Sequence, residues 1–330
     1  MLQKIFLSLL AVVFIFNLKS QAQEFAPVGT AVAQFLEIGM GARGTAMGEA
    51  YTTLSDDAGA AFWNPAGLVN VKNRNFFLAY NKWPADISVG GVSLAWNLGN
   101  VGTVAVSSVF INTGNMVVTT VDDPEGESGQ TFAISNYSFG ISYSRFLTDR
   151  LSVGGTVKMV HEGYMDYGYT SWALDLGTLY RTGFHGLMLG MSILHFGQDI
   201  QFSGTYFDYS DPELAKGQQK NFEHYSLPIN FRVGLSMDIW QKGIHKIITA
   251  ADMVHPNNNL EQYNWGIEYG FKQMFFLRAG YKFRADEGGI ALGTGVRYSM
   301  SNNLSAMIDY SYSDEGVLPA IHRLSVGFSF

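Results

Sequence analysis

The 330-residue chain contains no cysteine. This excludes a disulfide framework, thiol catalysis and cysteine-ligated metal sites. Charge is also scarce, because charged residues make up 15% of the chain, against about 25% in a typical soluble domain. The formal net charge of −7 argues against nucleic acid as a partner, since phosphate backbones are bound by an excess of Lys and Arg.

A long hydrophobic run is missing as well. After residue 20, no stretch is apolar over the roughly 20 residues that a transmembrane helix needs. The chain is instead rich in Gly, with 37 residues, and in aromatic residues, including 24 Phe and 17 Tyr. Together these features indicate a β-barrel in lipid. A soluble all-β protein is the alternative that composition leaves open.

Residues 229–240 set the pattern of the chain. Alternate positions are apolar, and the positions between them are polar or small as far as Asp238. The apolar set is Ile229, Phe231, Val233, Leu235, Met237 and Ile239. Because a strand directs alternate side chains to opposite faces, the segment has one apolar and one polar face. About 10 such residues cross a bilayer core.

Fourteen segments of this kind predict an all-β, 14-stranded antiparallel transmembrane barrel over residues 73–330. They span 75–82, 86–98, 101–112, 131–147, 151–164, 171–182, 187–197, 227–240, 245–255, 261–271, 275–284, 290–300, 304–313 and 320–330. The two longest links, 113–130 and 198–226, fall on one rim, and the links on the other rim are all short. This sorting is typical of outer-membrane barrels with short periplasmic turns, and it predicts periplasmic termini.

Local features refine this prediction. The apolar face changes parity at residues 90–91 and again at residues 135–136, which predicts β-bulges. Trp83, Trp96 and Trp240 lie near segment ends, as expected for aromatic girdles at the membrane interface.

Residues 1–22 are predicted to be a secretory signal peptide. Lys4 supplies positive charge, residues 5–16 are apolar apart from one Ser, and residues 20–22 form a small-x-small cleavage site. Cleavage would leave Gln23 as the first residue. A short membrane anchor is the alternative, but the apolar run is too short to span a bilayer.

Residues 23–72 are predicted to form an N-terminal plug or hatch. Asp56–Asp57 offers a cap for a short helix over 58–63. Pro65 ends that helix, because the residue before a proline is forced out of the helical region. Gly67 is expected to provide a positive-φ exit.

Several motifs in this segment resemble the N-terminal signature of the PorV/PorQ family, which belongs with the FadL-like outer-membrane barrels. They are Phe35-Leu36-Glu37-Ile38-Gly39, Gly41-Ala42-Arg43, Ala46-Met47-Gly48-Glu49-Ala50-Tyr51, Asp56-Asp57-Ala58 and Trp63-Asn64-Pro65-Ala66-Gly67-Leu68. Asn64-Pro65-Ala66 also resembles the motif of the FadL hatch. Glu49 departs from the family pattern, which often has a second Gly there.

The resemblance implies a FadL-like barrel with its N-terminal segment inside the lumen. It also implies an accessory role in type IX secretion, in which the barrel binds the C-terminal signal domains of cargo beside the translocon. The terminal Phe330 resembles the C-terminal aromatic residue that barrel-insertion machinery recognises. The FadL likeness implies an alternative, passive transport of hydrophobic or small molecules, which needs an apolar pocket at the plug and a lateral gap; residues 90–91 offer a kink. A purely structural barrel is a third class.

Loop 198–226 is the candidate partner-binding surface. Its aromatic side chains are Phe202, Tyr206, Phe207, Tyr209, Phe222 and Tyr225. Rigid aromatic residues are frequent interface anchors. The alternative is a loop that folds over the barrel mouth and buries its rings.

The inward parity of the predicted strands carries many charges. They are Lys158, Asp175, Arg232, Asp238, Arg278, Lys282, Arg284, Arg297, Asp309 and Arg323. Charges this dense in a narrow barrel usually pair with each other or with the plug. Glu49, Asp56 and Asp57 are the expected plug partners, and a polar pathway for solute is the alternative.

Neither a catalytic site nor a cofactor or metal site is predicted. The seven His residues show no metal-ligand spacing, and no G-x-S-x-G motif is present. A Ser-His arrangement formed only in three dimensions stays open. Asp122, Asp123, Glu125 and Glu127 indicate a solvated acidic loop, with a calcium site as the alternative.

Overall fold

The computed structural model describes residues 26–165, 167–208, 217–285, 288–301 and 304–330, so the predicted signal peptide lies outside the described residues. Fourteen antiparallel strands pair in chain order, and the last strand pairs with the first to close a barrel. They are β1 Arg74–Lys82, β2 Ser88–Asn97, β3 Thr103–Asn112, β4 Tyr137–Phe146, β5 Leu151–Tyr164, β6 Tyr167–Arg181, β7 Met188–Gly197, β8 Asn230–Lys242, β9 His245–Pro256, β10 Gln262–Phe271, β11 Phe275–Phe283, β12 Ile290–Ser299, β13 Ser305–Glu315 and β14 Leu318–Ser329. The predicted fold class is confirmed.

The barrel has two unlike rims. The links 113–136 and 198–229 lie at one end, here called the long-loop rim. The turns after β2, β4, β6, β8, β10 and β12 lie at the other end, the short-turn rim. Among the described residues, no helix has both the length and the apolar character to cross a membrane.

Alternation along the strands places apolar side chains outside and polar ones inside. Leu277, Leu292, Ile308 and Leu324, on four successive strands, are 46–60% exposed. Arg278, the residue after Leu277 and on the opposite face of β11, is buried. A continuous apolar outer surface of this kind is typical of a barrel that faces lipid.

The predicted bulge at residues 90–91 is wrong. Both residues pair continuously with β1 and β3. The parity change has another cause, because the inward-facing Val89 is apolar and packs in one cluster with Phe35 and Met40 of the N-terminal segment. Apolar residues therefore stand on both faces of β2 near the long-loop rim.

The predicted bulge at residues 135–136 is also wrong. Thr131–Phe132 pairs with Met116–Val117 outside the barrel, and barrel strand β4 begins only at Tyr137. Residues 135–136 therefore join a loop hairpin to the strand. Register shifts occur instead between β6 and β7, between β8 and β9, and between β13 and β14.

Residues 31–72 lie inside the barrel and are here called the luminal segment. The one-turn helix Ala42–Ala46 packs against β11–β14, and the 3-10 helix Pro65–Asn70 packs against β3–β6 on another part of the wall. Two more 3-10 helices, Gln34–Glu37 and Ala58–Phe62, complete the segment. Contacts with separate parts of the wall fix its position across the lumen.

The predicted cap is confirmed in the luminal segment, but the predicted exit is wrong. The Asp57 carboxylate accepts a hydrogen bond from the Gly59 backbone N–H at 2.8 Å, which caps the 3-10 helix over 58–62. Gly67 does not adopt a positive φ and lies inside the next 3-10 helix. A side chain is excluded there because an added Cβ would lie 2.1 Å from the Ser55 carbonyl oxygen.

The wall touches the luminal segment directly at Gly280 of β11. A Cβ added to Gly280 would lie 2.0 Å from the backbone nitrogen of Gly48. Backbone atoms cannot move aside as a flexible side chain can, so glycine is required for this contact. Gly327 of β14 offers a contrast, because its nearest neighbour would be 3.9 Å away.

Gly280→Ala is expected to destabilise the folded barrel by about 1–3 kcal/mol, the usual range for overpacking. Gly327→Ala is the matched control and should have little effect. Denaturant unfolding of the detergent-folded protein measures both changes. Equal stability of the two variants would contradict the close contact between Gly280 and Gly48.

Candidate functional site

A chain of buried ion pairs joins the luminal segment to the wall. The Arg278 side chain is 0% exposed and donates to Glu268 and to Asp309, each at 2.6 Å. Arg43 of the luminal segment donates to the same Glu268 at 3.0 Å and to Asp56 at 2.7 Å. The segment is thus held at β10 and β11 by paired charges rather than by apolar contacts alone.

Glu49 holds the segment at a second place. Its carboxylate lies 3.2 Å from Arg232 Nη2 and 3.5 Å from Lys282 Nζ, and the Arg232 guanidinium lies over the Trp63 ring at 5.0 Å. Burial disfavours the charged carboxylate, but Lys282 and Arg232 outweigh that effect and hold the pKa of Glu49 below its ordinary value. The Glu49 backbone has a φ of 64°, a left-handed conformation that disfavours non-glycine residues.

The Asn64-Pro65-Ala66 motif docks the segment on β6. Asn64 is fully buried, and its Nδ2 donates to the carbonyls of Thr52 at 2.9 Å and Thr178 at 3.1 Å. Its Oδ1 accepts from the Ala66 backbone N–H at 3.1 Å. The geometry gives Asn64 an anchoring role, with its polar atoms used by protein partners.

Three other predicted lumen charges, Asp238, Arg284 and Arg297, lie near the rims. Asp238 pairs with Lys246 at 2.9 Å, with both side chains about one-third exposed. Arg297 lies over the Phe276 ring at 5.3 Å. Arg284 corrects a prediction, because it follows β11 with a φ of 59° and is exposed at the long-loop rim rather than in the lumen.

The half of the lumen toward the long-loop rim contains a buried apolar cluster. Its members are Ala33, Phe35, Met40, Val89, Val109, Val160, Tyr169, Ala173, Ile200 and Leu227. Trp83 packs against this cluster, so its predicted place in an outer girdle is wrong, whereas Trp96 and Trp240 are exposed on the outer surface. A cavity of about 40 Å³ lies beside the cluster, between the luminal segment and β3–β8.

One side of this small cavity is charged. Lys158 Nζ donates to Asp175 at 2.8 Å and to His195 Nδ1 at 2.6 Å. Asp175 also accepts from the His195 backbone N–H at 2.7 Å. His195 has a φ of 62° at the register shift between β6 and β7. Sequence reasoning predicted Lys158 and Asp175 in the lumen but missed His195, because it predicted no irregularity at that place.

The aromatic loop at the long-loop rim divides into buried and exposed parts. The Phe202 ring lies 5.0 Å from that of Tyr169 and 5.8 Å from that of Phe222. Tyr206 and Phe207, by contrast, are 36% and 57% exposed. Half-buried Tyr225 pairs with Ile200 in a short bridge, and Tyr209 lies outside the described residues. The folded-back arrangement therefore holds for Phe202, whereas the Tyr206 and Phe207 side chains are exposed at the rim.

Metal-ligating side chains are not grouped in the part of the chain that the structure describes, where no three His, Asp or Glu residues could together hold an ion. In the acidic loop, Asp123 accepts hydrogen bonds from the backbone N–H groups of Glu127 and Ser128 at 2.8 and 3.0 Å. These bonds order the loop itself. At the opposite rim, a cavity of about 840 Å³ opens below the luminal segment.

A closed 14-stranded antiparallel barrel with its N-terminal segment in the lumen is the fold of FadL-like outer-membrane barrels. The structure is similar to the CymD monoaromatic hydrocarbon channel, with 14% identity, a TM-score of 0.57, and coverage of 89% of this chain and 98% of that one. It is also similar to the Pseudomonas putida toluene transporter TodX, with 12% identity, a TM-score of 0.58, and coverage of 88% and 98%.

A Pseudomonas aeruginosa FadL homologue gives a TM-score of 0.57 at 13% identity, with coverage of 88% of this chain and 98% of that one. No protein-family model matches the chain, and a search of curated proteins finds no similar sequence. At these identities the likeness establishes the fold.

Glu49→Gln is expected to destabilise the folded state by about 3 kcal/mol, because Arg232 and Lys282 lose their buried anionic partner. Glu49→Gly should cost less, because glycine relieves the left-handed conformation while the same ion pairs are lost. Denaturant unfolding in detergent gives the free energies, and protease access to residues 31–72 reports release of the segment.

The matched control is Glu261→Gln, which removes the pair with His255 between two side chains that are 43% and 56% exposed. Exposed pairs contribute about 0–1 kcal/mol. If the glutamine variants at positions 49 and 261 are equally stable, Glu49 does not hold the luminal segment.

Proposed function

We propose that the protein is an outer-membrane channel for passive entry of small, predominantly apolar molecules. In this proposal residues 1–22 are a signal peptide, residues 23–72 are the plug, and residues 73–330 are the membrane barrel. The long-loop rim faces the exterior, and both termini face the periplasm. Outer-membrane lipid surrounds the apolar outer face, and the insertion machinery of such barrels recognises Phe330.

The observation that carries this proposal is the buried apolar cluster of the wall and the luminal segment beside the small cavity. Val89, Val109 and Val160 face inward and are buried with Phe35 and Met40, and Val109 and Met40 also line the cavity. Ligand sites are concave and combine apolar surface with placed polar groups. The small cavity has both, because apolar side chains such as Met40, Phe62 and Val109 face a polar set of Glu37, Lys158, Asp175, His195 and Arg232.

Passage needs a change of conformation. A cavity of about 40 Å³ holds about three water-sized groups at 10–15 Å³ each, so an aromatic solute requires neighbouring side chains or the luminal segment to move.

A lateral gap at residues 90–91 has no support, since pairing there is continuous. Pairing between β7 and β8 ends at Leu194 and Asn230, which line the cavity, and this seam is the better place for one.

Adjacent serines on β3 test the channel. Ser107 lines the cavity, whereas Ser108 has the opposite parity and faces outward. Ser107→Phe is expected to reduce toluene uptake by proteoliposomes about tenfold, because the ring fills the cavity, and Ser108→Phe should leave uptake unchanged. Equal uptake by both variants, or no uptake by the unmodified protein beyond empty liposomes, would remove the proposal.

A second candidate function is an accessory role in type IX secretion, of the PorV/PorQ kind. The motifs in residues 35–68 favour it, and so do the exposed aromatic side chains of Tyr206 and Phe207 at the long-loop rim. In this role the loop binds the C-terminal signal domains of cargo beside the translocon, and the lumen stays closed by its plug. The luminal ion pairs are compatible with such a sealed barrel.

Phe207→Ser combined with Tyr206→Ser is expected to abolish capture of a C-terminal signal domain in a pull-down, because interface affinity concentrates in a few aromatic anchors. Val317→Ser, at an 84% exposed position on another loop of the same rim, is the control and should retain capture. Unchanged capture by the double variant would exclude this loop as the contact surface.

A further inference from the structure

A chamber at the short-turn rim has a composition that neither candidate function explains. It has a volume of about 840 Å³, within the range of about 300–1,000 Å³ that small-molecule sites occupy. Its roof is the luminal segment around Leu54 and Asp56, and its sides come from β6, β8, β9, β12 and β13 together with the adjoining turns.

Positive charge is concentrated in this chamber. Six of the 21 Lys and Arg residues line it, against three of the 28 Asp and Glu residues. The cations are Arg43, Lys72, Arg181, Lys246, Lys272 and Arg297, and the carboxylates are Asp56, Asp57 and Asp238. The lining side chains give the chamber a formal charge of +3 in a chain of −7. The chamber is therefore positively charged although the whole chain is negatively charged.

Four of these cations have no anionic partner. Arg43 and Lys246 are paired with carboxylates, as described above, but across the described residues Lys72, Arg181, Lys272 and Arg297 form no ion pair. Arg181 donates to the neutral Asn70 side chain. Like charges gathered in a partly enclosed space raise each other's energy, and a bound anion would remove that cost.

The nearby carboxylates do little to neutralise the chamber. Asp56 and Asp238 are already paired with Arg43 and Lys246. Burial raises the pKa of Asp57 to about 6, so most of it is ionised at pH 7. One carboxylate does not offset the four cations that line the chamber without an ion pair.

Apolar side chains separate the cations. Val71, Leu187, Met188, Ile248, Met274, Met307 and Phe330 line the same space. The Arg297 guanidinium lies on the Phe276 ring at 5.3 Å, and its Nη2 lies 3.4 Å from Met307 Sδ. These two contacts orient the Arg297 guanidinium without using a carboxylate. Its planar set of N–H donors can therefore bind two oxygens of a carboxylate or phosphate.

We propose that this chamber is a binding site for small organic anions that carry a carboxylate or phosphate on an apolar body. Lys72, Arg181, Lys272 and Arg297 bind the anionic group, and the aliphatic, Met and Phe side chains bind the body. The site draws its ligand from solution at the short-turn rim, where local positive potential raises anion concentration. Binding at this site does not depend on the passage of solutes through the barrel.

Calorimetric titration of the detergent-folded protein tests the site with three probes: phenyl phosphate, inorganic phosphate and the neutral benzyl alcohol. Phenyl phosphate should bind at least tenfold more tightly than either of the others, and its affinity should fall between 20 and 200 mM NaCl, concentrations of the order at which screening becomes strong. Equal affinity for benzyl alcohol would overturn the role of charge. Equal affinity for inorganic phosphate would overturn the organic body, and absence of phenyl phosphate binding would overturn the site.

Variants locate the binding. Lys72 and Lys272 are exposed, so Lys72→Gln combined with Lys272→Gln should fold normally and weaken phenyl phosphate binding about tenfold. Lys242→Gln removes the same charge at the same rim from an exposed side chain outside the chamber, and it should change nothing. Equal weakening in all these variants would indicate a general charge effect and overturn the site. Toluene uptake is a separate measurement, so the channel can fail while the anion site stands.

Discussion

The structure depends on one constraint: a charge buried from solvent inside a narrow barrel must find a partner there. The luminal segment supplies those partners. Glu49 meets Arg232 and Lys282, while Arg43 shares Glu268 with Arg278. Removing one member of such a set leaves the others buried without compensation, which costs far more than an exposed pair contributes. The barrel and its N-terminal segment are therefore a single electrostatic unit, and neither is expected to keep its arrangement without the other.

This unit divides the lumen into two unlike halves. Toward the long-loop rim the wall and segment bury apolar side chains around a small cavity with Lys158, Asp175 and His195 on one side. Toward the short-turn rim they leave a large cationic chamber. If solutes enter at the long-loop rim, as in the proposed function, they meet the apolar cluster first and the positively charged chamber afterwards. The two ends of the lumen therefore differ in the kind of molecule that they favour.

Much of the barrel could be predicted from the sequence, because strand alternation is a local property and needs only neighbouring residues. The face change at residues 90–91 was open to misinterpretation for the same reason. A local pattern cannot distinguish a bulge from an inner wall that turns apolar to meet Phe35 and Met40. The motif at residues 64–66 indicated a plug, but its partner, the Thr178 carbonyl, is 114 residues away from Asn64. His195 was missed because its left-handed backbone leaves no residue-type signal.

Glu49 combines backbone strain with ion pairing at one position. The PorV/PorQ pattern that this segment resembles often has glycine there, and the observed φ of 64° suits glycine. A glutamate in this conformation costs about 1–2 kcal/mol, so its presence requires a compensating interaction. Arg232 and Lys282 provide it, since each approaches the carboxylate from the barrel wall. Gly48, the residue before Glu49, lies against Gly280 and leaves that turn little room to adjust. The segment is thus held at this turn by both charge and close packing, and a displacement that opened the lumen here would have to break the Glu49 ion pairs.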